Sequence, residues 1–201
     1  MYLTLPLNKS DILASFKSLG VTPQVIQGLE ALGIVKPTEI QVQSIPKLIK
    51  SPIDFIGMAQ TGTGKTAAYS IPIIQNICPN EPKIQALILC PNRELGQQIA
   101  KQIFKFTKFT EKIFVEAVYG GEKIEVQISA LRRKTHILVA TPGRLLDLQR
   151  RKAVDLRKIK TVVLDEADEM LSVGFKKDLD LILEQTSRAS NTWLFSATMP
   201  K

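Results

Sequence analysis

One histidine and two cysteines leave this chain poorly equipped for soft metals. Cys78 and Cys90 lack the paired spacing of a zinc site, which excludes a structural zinc built on them. So sparse a cysteine content also argues against a disulfide scaffold and for a reducing compartment. Cys90 closes the apolar run Ala86-Leu87-Ile88-Leu89 and reads as a core thiol. His136, with no second histidine or paired cysteines, reads as structural. Aromatics are only 6% of the residues, too few for a broad platform on which bases could stack. No apolar run approaches bilayer-spanning length. The N-terminus, Met1-Tyr2-Leu3-Thr4-Leu5-Pro6, lacks a basic region, and Pro6, Asn8 and Lys9 interrupt its apolar stretch, so it does not read as a signal peptide. Repeats, linkers and low-complexity runs are absent as well. The expectation is a soluble, cytoplasmic, monomeric protein with no membrane partner.

What is present suits a globular fold. Hydrophobic residues make up 44% and charged residues 23% of 201 positions, enough for one domain with a real core and an extra element. The balance is basic: 27 Lys and Arg against 19 Asp and Glu give a formal charge of +8. That favours a polyanion through counterion release, and the shortage of aromatics points to its backbone rather than its bases. The clusters Arg132-Arg133-Lys134 and Arg150-Arg151-Lys152 read as solvated faces that add nonspecific attraction.

Strand-like and helix-like segments alternate. Strands are expected at 53–58, 84–90, 113–118, 136–140, 161–164 and 192–195, with helices at 93–107, 124–131, 144–151 and 176–185 among them. The strands are near-continuous Val/Ile/Leu runs, the signature of parallel strands covered on both faces. This predicts an α/β fold, a doubly wound, mostly parallel sheet with helices on both faces. Residues 1–50 form a separate helical unit, punctuated at Gly20, Gly33, Pro37 and Pro46 and packed on the core at the sheet edge; residues 51–201 form the core itself. Trp193 reads as a core residue.

The segment Ala59-Gln60-Thr61-Gly62-Thr63-Gly64-Lys65-Thr66 lies between the first expected core strand and a helix opening near Ala67. A glycine-bearing loop there lets backbone N–H groups converge on a phosphate. Lys65 can reach the outer phosphates, and the Thr66 hydroxyl can bind Mg²⁺. The generic phosphate-loop pattern wants glycine where Ala59 stands. Farther on, Asp165-Glu166-Ala167-Asp168 follows the apolar end of a strand. Alone, it reads equally as the acidic first turn of a helix. Beside a phosphate loop, Asp165 suits a magnesium ligand acting mostly through water, and Glu166 a base for the attacking water.

Other segments have local readings of their own. Thr38 and Gln41 make a T-x-x-Q capping box. Asn92 suits an N-cap at a helix start, and Gly96 costs that helix about 1 kcal/mol relative to Ala. Thr141 can cap, Pro142 fits the first helical position, and that helix start attracts anions. Gly120-Gly121 exposes N–H groups without side chains. Ser196-Ala197-Thr198 offers two hydroxyls at a strand end, which can hydrogen-bond Asp168.

Taken in order, seven segments (33–41, 59–66, 91–96, 120–121, 141–144, 165–168 and 196–198) resemble the first RecA-like domain of DEAD-box ATP-dependent RNA helicases. The resemblance covers 16–201, and in that family the phosphate loop begins with Ala, so Ala59 becomes a match. It implies a RecA-like P-loop NTPase domain that uses ATP and Mg²⁺. Phe16, Lys36, Thr38, Gln41, Gln60, Thr61, Gly62, Thr63, Gly64, Lys65, Thr66 and Ala67 would form the nucleotide site, with Gln41 reading the adenine edge. Thr66 and Asp165 would serve the metal; Lys65, Asp165 and Glu166 the catalysis. Pro91, Asn92, Arg93, Gly120, Gly121, Thr141, Pro142, Gly143 and Arg144 would grip RNA backbone with little sequence preference. Asp168, Ser196 and Thr198 would couple nucleotide state to unwinding. Three residues depart from the pattern: Ile34 replaces an aromatic after Gly33, Asn92 a threonine and Gly96 an alanine.

The family's second RecA-like domain, which supplies arginine fingers and half of the RNA groove, is not among these 201 residues. The expectation is a domain of a longer helicase that hydrolyses ATP and unwinds duplex only with that partner. A DNA helicase of related fold, a catalytically dead RNA clamp and a small-molecule P-loop kinase are the alternatives. Asp168 and the Thr38/Gln41 unit argue against the first and the four intact residues Lys65, Thr66, Asp165 and Glu166 against the second. The third leaves six of the motifs unused.

Overall fold

The computed structural model describes Tyr2–Leu3, as backbone, and residues 14–198. Among the described residues seven strands form one sheet: β1 (Tyr2–Leu3), β2 (Phe55–Met58), β3 (Ala86–Leu89), β4 (Val115–Val118), β5 (Ile137–Ala140), β6 (Thr161–Asp165) and β7 (Asn191–Ser196). Every adjacent pair is parallel, and the order across the sheet is β1-β2-β7-β6-β3-β5-β4. All six strands expected from the apolar runs are present, each trimmed or extended by a residue or two. Eight helices are described: α1 (Pro23–Glu30), α2 (Glu39–Lys50), α3 (Lys65–Asn76), α4 (Arg93–Phe106), α5 (Ile124–Leu131), α6 (Pro142–Arg150), α7 (Ala167–Ser172) and α8 (Lys176–Gln185).

The two-residue period of the strands divides the core between two faces. In β3, Ala86 and Ile88 point to one face and Leu87 and Leu89 to the other; in β5, Ile137 and Val139 oppose Leu138 and Ala140. On the first face these meet Ile45, Ile71, Ile99 and Ile103 from α2, α3 and α4, and on the second Leu145, Leu148, Met170 and Ile182 from α6, α7 and α8. Burying each such Leu or Ile contributes about 1.5–3 kcal/mol. This is the doubly wound arrangement. Trp193 is buried in the first cluster, where its indole N–H donates to the Ile53 carbonyl at 3.0 Å. His136 is buried just before β5, its Nδ1 accepting the Phe114 N–H at 3.0 Å, and burial pulls its pKa down.

Pro46 reads as punctuation in the sequence but lies inside α2, and Pro72 lies inside α3. These two helices pack along each other, so apolar contact outweighs the roughly 3 kcal/mol that an interior proline costs. Residues 1–50 meet the core through α2 on α3, α1 on α4 and, at the sheet edge, Tyr2–Leu3 on β2, a short strand inside a stretch that reads as helical in the sequence. The α1–α4 crossing is close. A Cβ on Gly28 would lie 2.4 Å from the Phe106 carbonyl oxygen, which is backbone and cannot rotate away. Gly28→Ala should therefore lower stability by about 1–3 kcal/mol, despite alanine's better helix propensity. Urea unfolding measures this; a variant as stable as the parent would show that the helices separate without cost.

Gly96 has a similar explanation. Its missing Cβ would meet Cys90 Sγ at 3.2 Å, so glycine lets α4 lie close over the end of β3. Burial pushes the Cys90 thiol up to about 12, in keeping with an inert core residue. No described helix is long and apolar enough to cross a membrane.

Candidate nucleotide and nucleic-acid site

Because every strand runs the same way, every strand ends at the same rim. Six of the seven candidate segments are the loops that leave that rim. The strand order sorts them. β2, β7 and β6 are neighbours, and from their ends come the phosphate loop, Ser196-Ala197-Thr198 and Asp165-Glu166. β3, β5 and β4 are the other neighbours, and from their ends come residues 91–96, Thr141–Arg144 and Gly120-Gly121. The rim has one half suited to phosphate and metal and another lined by helix starts and a glycine pair. Ligands of open parallel sheets bind at this rim.

In the first half, the chain leaves β2 through Gln60, Thr61 and Gly62, all exposed, and enters α3 at Lys65. Gly64 takes φ 91° as the N-cap, a left-handed conformation that suits glycine. The Thr63 hydroxyl closes the turn on the Gln60 carbonyl at 2.6 Å. Lys65, Thr66 and Ala67 form the first turn, whose N–H groups have no partner inside the helix. Lys65 is 6% exposed, and its Nζ has no hydrogen-bond partner. A buried ammonium without a partner is costly, which marks the position as one awaiting an anion.

Asp165 ends β6 beside it and is nine-tenths buried or more. Burial raises its pKa, while a hydrogen bond from Tyr69 and the Lys65 charge oppose the rise. Tyr69 Oη donates to Asp165 Oδ2 at 2.8 Å, and Asp165 Oδ1 accepts the Glu166 N–H at 3.1 Å. Glu166 itself has φ 52° and ψ 50°, a left-handed backbone on a non-glycine residue. Such a conformation costs about 1–2 kcal/mol and tends to persist at functional sites. Burial, then a hydrogen bond and repulsion from Glu169 and Asp165, push its carboxyl up to about 7. α7 starts at the next residue, so both sequence readings of this tetrapeptide hold: it ends a strand and opens a helix.

Asp168 faces the end of β7. Thr198 donates to its Oδ2 through the backbone N–H at 3.0 Å and the hydroxyl at 2.7 Å, and the Ser196 hydroxyl donates to the Thr198 carbonyl at 2.6 Å. Burial pushes the Asp168 carboxyl up, but the hydrogen bonds outweigh it and hold it below the ordinary range. Thr61, Lys65, Glu166, Asp168 and Thr198 line one open cleft of about 380 Å³. A larger hollow of about 860 Å³, lined by Lys152, Asp155, Arg157, Glu184 and Arg188 among others, contains no residue of the seven segments.

Gln41 is 2% exposed and occupied at both ends. Its Nε2 donates to the Gly64 carbonyl at 3.0 Å, and its Oε1 accepts the Thr38 N–H at 3.0 Å, as the capping box requires. It thus latches α2 to the phosphate loop, a contact the sequence did not announce. Phe16 is buried in the core at 3% exposure; Lys36 is exposed.

In the second half of the rim, one network joins three segments. The Arg93 guanidinium sits 4.9 Å from the Tyr119 ring centroid, close to Gly121. Tyr119 Oη accepts from Gln97 at 2.7 Å and donates to Glu122 at 3.2 Å. Arg144 donates to Gln127 Oε1 at 2.8 Å and the Glu122 carbonyl at 3.0 Å, and Gln127 donates to the Tyr119 carbonyl at 3.1 Å. Asn92 caps α4 by accepting the Leu95 N–H at 2.9 Å. Thr141 takes the N-cap position of α6 but makes no side-chain cap bond; Pro142 follows at the first helical position. Pro91, Thr141 and Pro142 are buried, whereas Gly120, Gly121 and Gly143 are exposed. Tyr119, Glu122 and Gln127 carry no motif signal of their own, and only the folded network reveals them.

No group of three or more His, Cys, Asp or Glu able to hold a metal occurs among the described residues. Mg²⁺ needs no such cage, since it keeps several waters and takes one or two carboxylates with substrate phosphates. The oxygen donors of Thr66 and Asp165, beside an orphaned ammonium, fit that demand.

The family model for the DEAD/DEAH box helicase matches residues 38–201. ATP-dependent RNA helicase DeaD of Escherichia coli (strain K12) is 46% identical over 192 residues, which is 96% of this chain and 30% of that protein. DEAD-box ATP-dependent RNA helicase CshA of Streptococcus pneumoniae serotype 4 is 46% identical over 185 residues, 92% of this chain and 35% of that protein. The chain thus spans about a third of the length of these curated relatives. Among solved structures, a DEAD box protein from the hyperthermophile Methanococcus jannaschii superposes with a TM-score of 0.88 at 39% identity, over 92% of this chain and 50% of that one. A variant of S. cerevisiae Dbp5 bound to RNA and ADP BeF3 gives 0.81 at 34% identity, over 92% and 47%. The chain belongs to the DEAD/DEAH box helicase family and corresponds to the first RecA-like domain of its DEAD-box RNA helicases.

Proposed function

We propose that this chain binds ATP with Mg²⁺ on one half of its rim and RNA backbone on the other. With a second RecA-like domain it would support RNA-dependent ATP hydrolysis and duplex unwinding. The observation that carries the reading is the buried, unpartnered ammonium of Lys65 beside the carboxylates of Asp165 and Glu166. Lys65 pairs with the outer phosphates, and the N–H groups opening α3 meet the inner ones. Thr66 and Asp165 hold the magnesium, which neutralises charge developing on the transferred phosphoryl group. Glu166 orients the attacking water and takes its proton. Gln41 keeps one amide hydrogen and one oxygen lone pair free for the adenine edge, beyond those used on Gly64 and Thr38.

On the other half, Arg93, Arg144 and the N–H groups of Gly120, Gly121 and Gly143 contact RNA phosphates and sugars. Asn92, Pro91, Thr141 and Pro142 fix the helix starts that present them. Such contacts carry little sequence information. The bonds from Thr198 to Asp168 lie within the nucleotide half, where they join the acidic loop to the chain leaving β7, and would carry the coupling of nucleotide state to unwinding. The RNA and ADP BeF3 in the related Dbp5 structure support this pairing of ligands.

Arginine fingers are worth about 10³–10⁵ in rate and would come from a second domain. Calorimetric titration should therefore show Mg-ADP and Mg-ATP binding by this chain, with RNA-stimulated turnover near background. No association with either nucleotide, or brisk turnover by the chain alone, would overturn the proposal.

A further inference from the structure

We propose that Tyr69 is a positioning residue for the magnesium site, holding the Asp165 carboxylate in the orientation the cation needs. The inference rests on the nucleotide–magnesium reading above. Tyr69 lies three positions after Thr66 on α3, so both side chains share one helix face. Its hydroxyl donates to Asp165 Oδ2 at 2.8 Å. The phenol thus ties α3, the helix that carries Thr66, to the other group proposed to hold the metal, although 96 positions separate Tyr69 from Asp165.

The bridge is rigid. Tyr69 is fully buried, and its ring packs against Phe195 with centroids 5.3 Å apart and planes inclined at 59°. Phe195 in β7 pairs in register with Asp165 in β6. The Glu166 N–H takes the other carboxylate oxygen. With one donor on each oxygen, the plane of the Asp165 carboxylate is fixed, and each oxygen keeps a lone pair for the cation or its water. Removing an outer partner of this kind typically costs roughly 10–100-fold in metal affinity.

Tyr69→Phe removes the hydroxyl and keeps the ring. ADP affinity of the parent chain and of the variant is measured by calorimetry in excess MgCl₂ and again in EDTA, with thermal unfolding of both as a check on folding. The expected result is ADP binding in EDTA that matches the parent, with the gain conferred by magnesium reduced roughly tenfold. The midpoint of the magnesium titration at fixed ADP should rise by the same factor. An unchanged magnesium gain overturns the proposal. So does an equal loss with and without magnesium, which is what a phenol serving only the core would give. Should Tyr69→Phe unfold, Tyr69→Trp and Tyr69→Leu, which also lack the phenol, take its place under the same criteria. A parent chain that binds ADP without any magnesium gain sinks the metal reading and this inference with it; a normal parent with an indifferent variant sinks the inference alone.

Discussion

Lys65→Met should reduce affinity for Mg-ATP and Mg-ADP by at least about 100-fold while leaving the chain folded. The side chain is 6% exposed, its Nζ has no hydrogen-bond partner, and it sits at the first position of α3 with the phosphate loop in front of it. Each charge-assisted hydrogen bond it could make to phosphate is worth about 1.5–3 kcal/mol, so losing two of them reaches or exceeds that factor. Stability follows a different balance. The variant loses attraction to Asp165 and Glu166, whose pKa values Lys65 helps to hold down. It also loses the desolvation penalty of a buried, unpaired ammonium. These terms oppose each other, so unfolding free energy should stay within about 1 kcal/mol of the parent. Calorimetry and urea unfolding on the same preparation separate the two outcomes. Retained nucleotide affinity, or a collapse of stability, would mean that Lys65 is a structural cation and the cleft has another purpose.

The second large effect concerns Glu166. Joined to a second RecA-like domain, Glu166→Gln should lower RNA-stimulated ATP turnover by about 10²–10⁴ and spare ATP binding. Gln keeps the shape and the hydrogen-bonding reach but cannot accept the proton of water. The backbone at this residue is already left-handed, at φ 52°, and the substitution does not alter it. The carboxyl, pushed up to about 7 mainly by burial, is a better proton acceptor than an ordinary glutamate. Steady-state turnover and nucleotide titration of the same variant give the answer. Persistent turnover would assign the base elsewhere, and a parallel loss of ATP binding would make Glu166 a binding group.

Much of this molecule was legible in the linear chain. The apolar runs in β3 and β5 announced buried parallel strands because a side chain on either face of a covered sheet must be apolar. Gly64 and Lys65 announced a tight turn from strand into helix because few residue types tolerate its left-handed backbone. The ordered segments announced the family, which the match over residues 38–201 bears out. Local exceptions came from contacts the sequence pattern cannot express. Pro46 reads as a break, yet α2 continues through it because the helix is packed along α3. Thr141 reads as a cap, yet its side chain makes no cap bond. Gly96 reads as a weak point of α4, yet it lets that helix close over Cys90.

By itself, then, the sequence determined the six strands β2 to β7, the helices between them and the loops that hold the candidate glycines, Lys65 and acidic residues. These follow from side-chain period and turn stereochemistry, which act over a few residues. Only the tertiary structure decided the order β1-β2-β7-β6-β3-β5-β4, and with it the division of the rim into two halves. It also brought Tyr69 to Asp165, Gln41 to Gly64 and Arg93 to Tyr119. Strand neighbours are chosen by how the crossover helices pack over the whole sheet. No local pattern records that choice, because its energy arises between residues far apart in the chain.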